Sequence, residues 1–381
     1  MRFICGPRQS GKTTLARVWL HAQNSQDLYY LWDLRSVRNR YKENELFFTA
    51  DNPGKDAAWV CFDEIHKMPK WKNILKAIFD ATSHRYRFVV TGSAKLNLLK
   101  HAGDSLAGRY FTFHLYPLGL YEVGATAGAA SVPVAARDFI EQQMSAAPVN
   151  PDDLLNYGGF PEPFMRQSRA FYTKWAGDYI ETVIREDIGA LTRIVDREHI
   201  HDLYMILPEM VGSPISETSL ASHLQVSPIT AKNYLRRIEE FYLGFSLSPY
   251  TRNIKRSLLR ARKFYLFDWA KIVAHGARFE NFVACQLKAR VSLWSDASGV
   301  AFDMFYVRNK QKQESDFLIV RDGCPWLLIE AKVADGSVEH HHVAAATALG
   351  GIPVVQVCQT PGVALMAGHN TYRVSAERFL A

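Results

Sequence analysis

The stretch Gly6-Pro-Arg-Gln-Ser-Gly-Lys-Thr13 constrains this chain more than any other. It follows a short apolar run, Phe3-Ile4-Cys5, and leads into Thr14-Leu-Ala-Arg-Val-Trp-Leu20, whose apolar spacing is helical. A strand, a loop bounded by glycines and then a helix is the context in which backbone can wrap phosphate oxygens. Glycine lets the chain curl so that N–H groups converge, and the helix N-terminus adds partial positive charge. Gly6, Gln9, Ser10, Gly11, Lys12, Thr13 and Thr14 are therefore the expected ATP-binding residues. Lys12 is expected to reach the β- and γ-phosphates, and Thr13 to offer its hydroxyl to Mg²⁺. The competing reading is a chance glycine turn before a helix, and the complete pattern in this setting argues against it.

A second apolar run, Ala58-Trp-Val-Cys-Phe, ends in Asp63 and Glu64 about fifty residues further on. A carboxylate at the C-terminal end of such a strand faces the loop, so Asp63 is expected in the Mg²⁺ shell. Glu64 is then placed to polarise the attacking water. The plainer alternative is that two acids after a strand cap the next helix. Tyr86-Arg-Phe-Val-Val-Thr91 reads as a third strand, with Thr91 or Ser93 as a γ-phosphate or water contact, or Ser93 as a helix cap. Leu28-Tyr-Tyr-Leu-Trp-Asp33 reads as another strand. Arg109 follows, as a charge-stabilising finger in its own chain or a neighbour's, or as a surface arginine paired with an acid.

At 381 residues the chain has room for two or three domains with their own cores. Its 48% hydrophobic and 22% charged residues are ordinary for a globular protein. A net charge of +7 is compatible with nucleic acid without requiring it. Cys5, Cys61, Cys285, Cys324 and Cys358 are scattered and form no C-x-x-C pair, which fits a reducing cytoplasm better than a disulfide or zinc framework. The first strand already belongs to the fold, so no signal peptide is expected. The weakly charged stretch 116–136 is broken by Glu122, prolines and glycines and is not expected to span a membrane.

After a linker-like stretch around a short helix, residues 124–151, the chain reads as a turn cluster over 157–163 and a helix over 170–190. Ser216 to Leu224 reads as a short helix, and Ser227-Pro228 as the cap and first turn of a second one. Ile229, Leu235, Ile238 and Tyr242 give that second helix an apolar stripe. With strands over 242–250 and 263–267, this predicts a winged helix. Between the strands Arg252, Lys255, Arg256, Arg260, Arg262 and Lys263 suit phosphate contacts, or form a solvated hairpin on a packing module.

The last third predicts an amphipathic helix carrying Glu280, then strands over 302–307, 316–320 and 326–333. The strand period of two puts Glu330 and Lys332 on one face with Trp326 and Leu328. If the intervening loop has three residues, Asp316 falls opposite Glu330, whereas a two-residue turn would put it on the other face. Asp316, Glu330, Lys332 and Glu280 form the constellation of restriction-endonuclease-like folds. In it the carboxylates hold a divalent metal and the lysine positions or activates water. His340-His-His342 reads as a solvated turn, with contact to a metal as the alternative.

Taken together, Gly6-Pro-Arg-Gln-Ser-Gly-Lys-Thr, Phe62-Asp-Glu-Ile-His-Lys, Thr91-Gly-Ser, Leu106-Ala-Gly-Arg, Tyr157-Gly-Gly-Phe-Pro-Glu, Phe279-Glu-Asn-Phe-Val-Ala, Glu314-Ser-Asp-Phe and Ile329-Glu-Ala-Lys follow in order over nearly the whole length. The chain resembles prokaryotic AAA-type P-loop ATPases that carry a C-terminal domain of unknown function, itself similar to PD-(D/E)XK nucleases. The resemblance implies an α/β ATPase core with a parallel sheet of the additional-strand type, a winged-helix region and a restriction-endonuclease-like α/β domain. The expected limits are 1–135 for the ATPase core, 136–195 for a linker and helical segment, 196–270 for the winged helix and 271–381 for the nuclease-like domain. Family members carry a further segment before the P-loop strand, where this chain has Met1.

The expected function is Mg²⁺-dependent ATP hydrolysis that couples nucleotide state to the winged-helix and nuclease-like module, acting on DNA. Lys12, Glu64 and Arg109 are the expected catalytic residues, Thr13 and Asp63 the metal ligands, and the C-terminal site a holder of a second divalent metal. One alternative is an ATP-gated metal-dependent DNA nuclease. The other is a non-enzymatic nucleotide switch that binds a protein partner, or a second copy, through an inactive nuclease-like domain.

Overall fold

The computed structural model describes residues 1–54, 57–92, 106–124, 132–188, 197–251 and 261–381. They form two compact units: residues 1–115 with 240–242, and residues 116–239 with 243–381.

The first unit is built on five parallel strands, β1 (Arg2–Cys5), β2 (Tyr29–Leu31), β3 (Ala58–Asp63), β4 (Tyr86–Thr91) and β5 (Phe111–His114), in the order β2-β3-β4-β1-β5. A parallel sheet is covered on both faces, so its central strands read as unbroken apolar runs; every residue of β3 is buried. Helices α1 (Lys12–Ala22), α2 (Arg35–Glu43) and α3 (Trp71–Thr82) connect the strands. On α1, Ala16 and Leu20 pack with Ile4, Trp59, Cys61 and Val89 in one apolar cluster. An aromatic group of Phe48, Phe62 and Phe88 also contributes to the core, with ring centroids 5.8–6.0 Å apart. The order leaves β4 between β1 and β3, and both β1 and β3 end at the same edge of the sheet.

The second unit begins with short helices α4 (Leu120–Val123), α5 (Ala136–Ser145), α6 (Asp152–Tyr157) and α7 (Pro161–Arg166), followed by α8 (Arg169–Thr182). Next come α9 (Arg197–Ile206), β6 (Pro214–Ile215), α10 (Glu217–Leu224), α11 (Pro228–Glu240), β7 (Gly244–Leu247) and β8 (Arg262–Leu266). The three strands make an antiparallel sheet in the order β6-β8-β7. Ser216 and Ser227 cap α10 and α11, their hydroxyls accepting from Ser219 N–H at 3.3 Å and Thr230 N–H at 3.1 Å. The apolar face of α11 differs from the expected stripe. Ala231, Tyr234 and Ile238 are buried, while Ile229 is 74% exposed. The Tyr234 ring stacks on His199 of α9.

The chain closes with α12 (His275–Ser298), β9 (Phe302–Arg308), β10 (Glu314–Arg321), β11 (Cys324–Lys332), α13 (His340–Ala348), β12 (Val354–Cys358), β13 (Ala364–Gly368), β14 (Thr371–Ser375) and α14 (Ala376–Phe379). Its six strands form a mixed sheet in the order β13-β14-β12-β11-β10-β9. The hairpin joining β10 and β11 settles the register question. Its tip has two residues, Asp322 and Gly323, with Arg321 paired to Cys324. A bulge between Ile319 and Val320 then shifts the pairing by one, so that Phe317 faces Ile329 and Asp316 comes opposite Glu330. The same extra residue corrects another expectation. Trp326 packs on Trp294 of α12 at 5.8 Å, whereas Leu328 clusters with Ala346 of α13. The two do not share a face.

Candidate functional site

The loop after β1 runs from Gly6 to the first turn of α1. Gly6 lies so near the Leu115 carbonyl that a Cβ there would sit 1.9 Å from the oxygen. Gly11 takes a left-handed φ of 94° as the N-cap of α1, a conformation glycine adopts without penalty. Lys12 is buried, and its ammonium folds back across the loop onto the carbonyls of Gly6 (3.1 Å) and Pro7. Ser10 is 5% exposed, and its Oγ has no hydrogen-bond partner among the described residues. The first N–H groups of a helix likewise lack intrahelical partners.

Asp63 meets this loop from the end of β3. It is 2% exposed, and its Oδ2 accepts from the Thr13 hydroxyl at 2.8 Å. Tyr29 donates to the same oxygen and Thr91 to Oδ1. Thr91 thus orients Asp63 from β4; Ser93 lies outside the described residues. Tyr29 was missed in the sequence because nothing local to its strand marks it as a partner of an acid 34 positions on. Glu64 takes a left-handed φ of 57° and donates its N–H to the Thr91 carbonyl at 3.1 Å. Its carboxylate lies 3.4 Å from His66 Nε2 and 3.6 Å from Lys67 Nζ. Burial raises the Glu64 carboxyl above its ordinary range, with Lys67 opposing the shift.

Arg109 does not join this group. Its carbonyl accepts from the N-terminal amine of Met1, and Phe111 pairs with Arg2, so it stands at the end of β1 remote from the loop. Its guanidinium makes a two-point pair with Asp80 of α3, at 2.7 and 3.1 Å. The expected finger within its own chain is corrected accordingly: the sheet register puts Arg109 at the wrong edge.

A group implied by this loop, a nucleoside triphosphate with Mg²⁺, fits the residues present. The buried Ser10 hydroxyl without a partner, the helix N-terminus and the adjacent Thr13 and Asp63 are the donors and acceptors such a group requires.

In the second unit the expected C-terminal residues do come together, with an unexpected member. Asp316 N–H donates to Glu330 Oε2 at 3.2 Å, and Lys332 Nζ lies 3.0 Å from Glu330 Oε1. At the centre sits Lys263 of β8, 3% exposed, with Nζ 3.2 Å from Asp316, 3.2 Å from Glu314 and 3.5 Å from Glu280. Lys263 was read as one of six basic residues for phosphate contacts; burial among carboxylates removes it from that set. The run from Arg252 to Arg260 lies outside the described residues. Burial opposes the Lys263 charge, yet Asp316, Glu280 and Glu314 outweigh it and raise its pKa. Burial and then Asp316 push the Glu280 carboxyl up to about 7 and that of Glu330 to about 8.

The histidine run is also corrected. It opens α13, and His342 is 1% exposed, with Nδ1 2.7 Å from the Ser315 hydroxyl and 3.6 Å from Glu330. Burial, then His341, lowers its pKa to about 4. No group of three or more His, Cys, Asp or Glu among the described residues is placed to hold a metal ion. The expected second divalent metal therefore does not fit this donor set, because an ammonium already stands where the carboxylates converge.

Residues 1–124 match an AAA domain. Residues 150–276 match a domain of unknown function (DUF8612), which ends before β9. Uncharacterized proteins of Mycobacterium tuberculosis and Mycobacterium bovis are each 24% identical over 338 residues, covering 85% of this chain and 68% of theirs. An uncharacterized protein of Haemophilus influenzae is 24% identical over 312 residues, covering 76% of this chain and 74% of its own. Among solved structures, the DNA clamp loader delta protein of Bacillus subtilis aligns over 77% of this chain and 94% of its own at 9% identity. Its TM-score of 0.25 is too low for that likeness to bear on function. No helix among the described residues is long and apolar enough to cross a membrane.

Proposed function

We propose that the chain is a Mg²⁺-dependent ATPase of the additional-strand type whose nucleotide state is passed to the second unit. One observation carries this reading: Thr13 at the loop and Asp63 at the end of β3 are in direct hydrogen-bond contact at 2.8 Å. The AAA-domain match to residues 1–124 supports it. Bound Mg²⁺ would neutralise phosphate charge as it develops. Lys12 and the loop N–H groups bind the phosphates, Thr13 and Asp63 hold the ion, and Thr91 and Tyr29 orient Asp63. Glu64, raised in pKa by burial, holds the attacking water as its base. Lys12→Ala is expected to abolish ATP turnover in a phosphate-release assay. Hydrolysis at the wild-type rate by that variant would overturn the proposal.

The division of the second unit also belongs to this reading. Three helices with a β6-β8-β7 antiparallel sheet support a winged helix, and β9 to β14 with α12 and α13 a nuclease-like fold. DNA is the partner proposed for it, through the basic run that begins at Arg252, in a cytoplasmic setting that suits five free cysteines. A second reading is favoured by Lys263: the nuclease-like part is a non-catalytic module that binds a protein partner. Retention on DNA at low salt separates the two: the first reading expects it and the second does not.

A further inference from the structure

We propose that the acidic cluster of the C-terminal sheet takes no divalent cation in this protein, because Lys263 supplies its positive charge from within the chain. The inference rests on the second unit alone and is independent of the nucleotide reading. Lys263 stands on β8, where it pairs with Leu247 of β7 and Pro214 of β6, so its backbone is fixed by two neighbours in register. From there its ammonium reaches carboxylates on two further elements, Glu280 of α12 and Glu314 and Asp316 of β10.

Apart from Glu280 Oε2, the carboxylate oxygens are otherwise committed. Asp316 gives Oδ1 to Lys263 and accepts the Ala331 N–H on Oδ2 at 3.1 Å. Glu314 divides its oxygens between Lys263 and Arg308, the latter at 3.2 Å. Glu280 Oε1 is shared by Lys263 and the Tyr265 hydroxyl, at 2.8 Å from the latter. Glu330 is taken by Lys332, by the Asp316 N–H and by His342. A divalent ion needs oxygens converging at about 2.0–2.6 Å, free of other donors. Entering here, it would have to displace an ammonium that is 3% exposed and paired with three of these carboxylates. The lysine thus stands where these carboxylates converge, and it joins β8 to the six-stranded sheet by charge.

The test uses full-length protein without nucleotide and Mn²⁺ as the probe, followed by calorimetric titration and by the Mn²⁺ shift in thermal unfolding. Wild type and Asp316→Asn are expected to behave alike, with no Mn²⁺ site that depends on Asp316. Lys263→Ala is expected to gain such a site, and Lys263→Ala with Asp316→Asn to lose it again. Mn²⁺ bound by wild type and not by Asp316→Asn would overturn the proposal. A folded Lys263→Ala that gains no Mn²⁺ site would overturn it as well. If Lys263→Ala does not fold, the comparison of wild type with Asp316→Asn still decides.

Discussion

Asp268 lies 2% exposed just after β8, and both its oxygens accept from the Tyr172 hydroxyl, at 2.9 and 3.0 Å. Burial pushes its carboxyl up to about 6, and the Tyr172 hydrogen bond offsets only part of that. An unfolded chain releases this proton near the ordinary 3.8. Between those values the folded state holds more protons, so stability falls as pH rises through the window. The full interval is worth roughly 3 kcal/mol. Asp268→Asn keeps an acceptor for Tyr172 and removes the titration. Its urea midpoint is expected to change less than that of wild type between about pH 4 and pH 6.5; parallel profiles would refute the assignment. Residues of this kind also mark where sequence reading stops. That Thr13 and Asp63 would meet was legible because a contiguous loop and a strand end carry their own context. Lys263 was not, because Asp316 lies 53 positions away and the surrounding arginines suggested solvent.

At the scale of elements, local chemistry and tertiary contact decided different things. The cap at Ser227 was readable, since a serine before a helix satisfies an N–H that lacks a partner within the helix, whereas Ser216 was read as part of its helix and caps it instead. Ser227→Ala is accordingly expected to destabilise the protein by about 1 kcal/mol in urea unfolding; an unchanged midpoint would mean that α11 does not use the cap. The buried face of α11 was not readable. Apolar residues at 229, 235 and 238 fit one stripe and those at 231, 234 and 238 another; the second is the buried one, with Tyr234 stacked on His199, although Ile238 and Tyr242 of the expected stripe are buried too. The hairpin of β10 and β11 shows the same limit. Either tip length was compatible with the sequence, and the bulge at Trp326 compensates for the shorter one.

For the whole molecule, neither Lys263, enclosed among carboxylates, nor Arg109, paired with Asp80, is a cation offered freely to a polyanion. If the basic run binds phosphates, affinity for duplex DNA should fall steeply with salt, at about 0.9 in log–log slope per phosphate contact. Replacing Arg252, Lys255, Arg256 and Arg260 with Ala should flatten that slope, while Lys263→Ala should leave it unchanged; a wild-type affinity indifferent to salt would remove the DNA role. A parallel sheet was expected from the sequence, but its order β2-β3-β4-β1-β5 is fixed by pairing between strands far apart in the chain. The exit from that sheet has a separate requirement. The polypeptide leaves the first unit at Leu115, and its carbonyl there rests against the bare Cα of Gly6. Even a methyl group would have to push main chain aside, so the close approach of Leu115 to this loop depends on the smallest residue a ribosome can add.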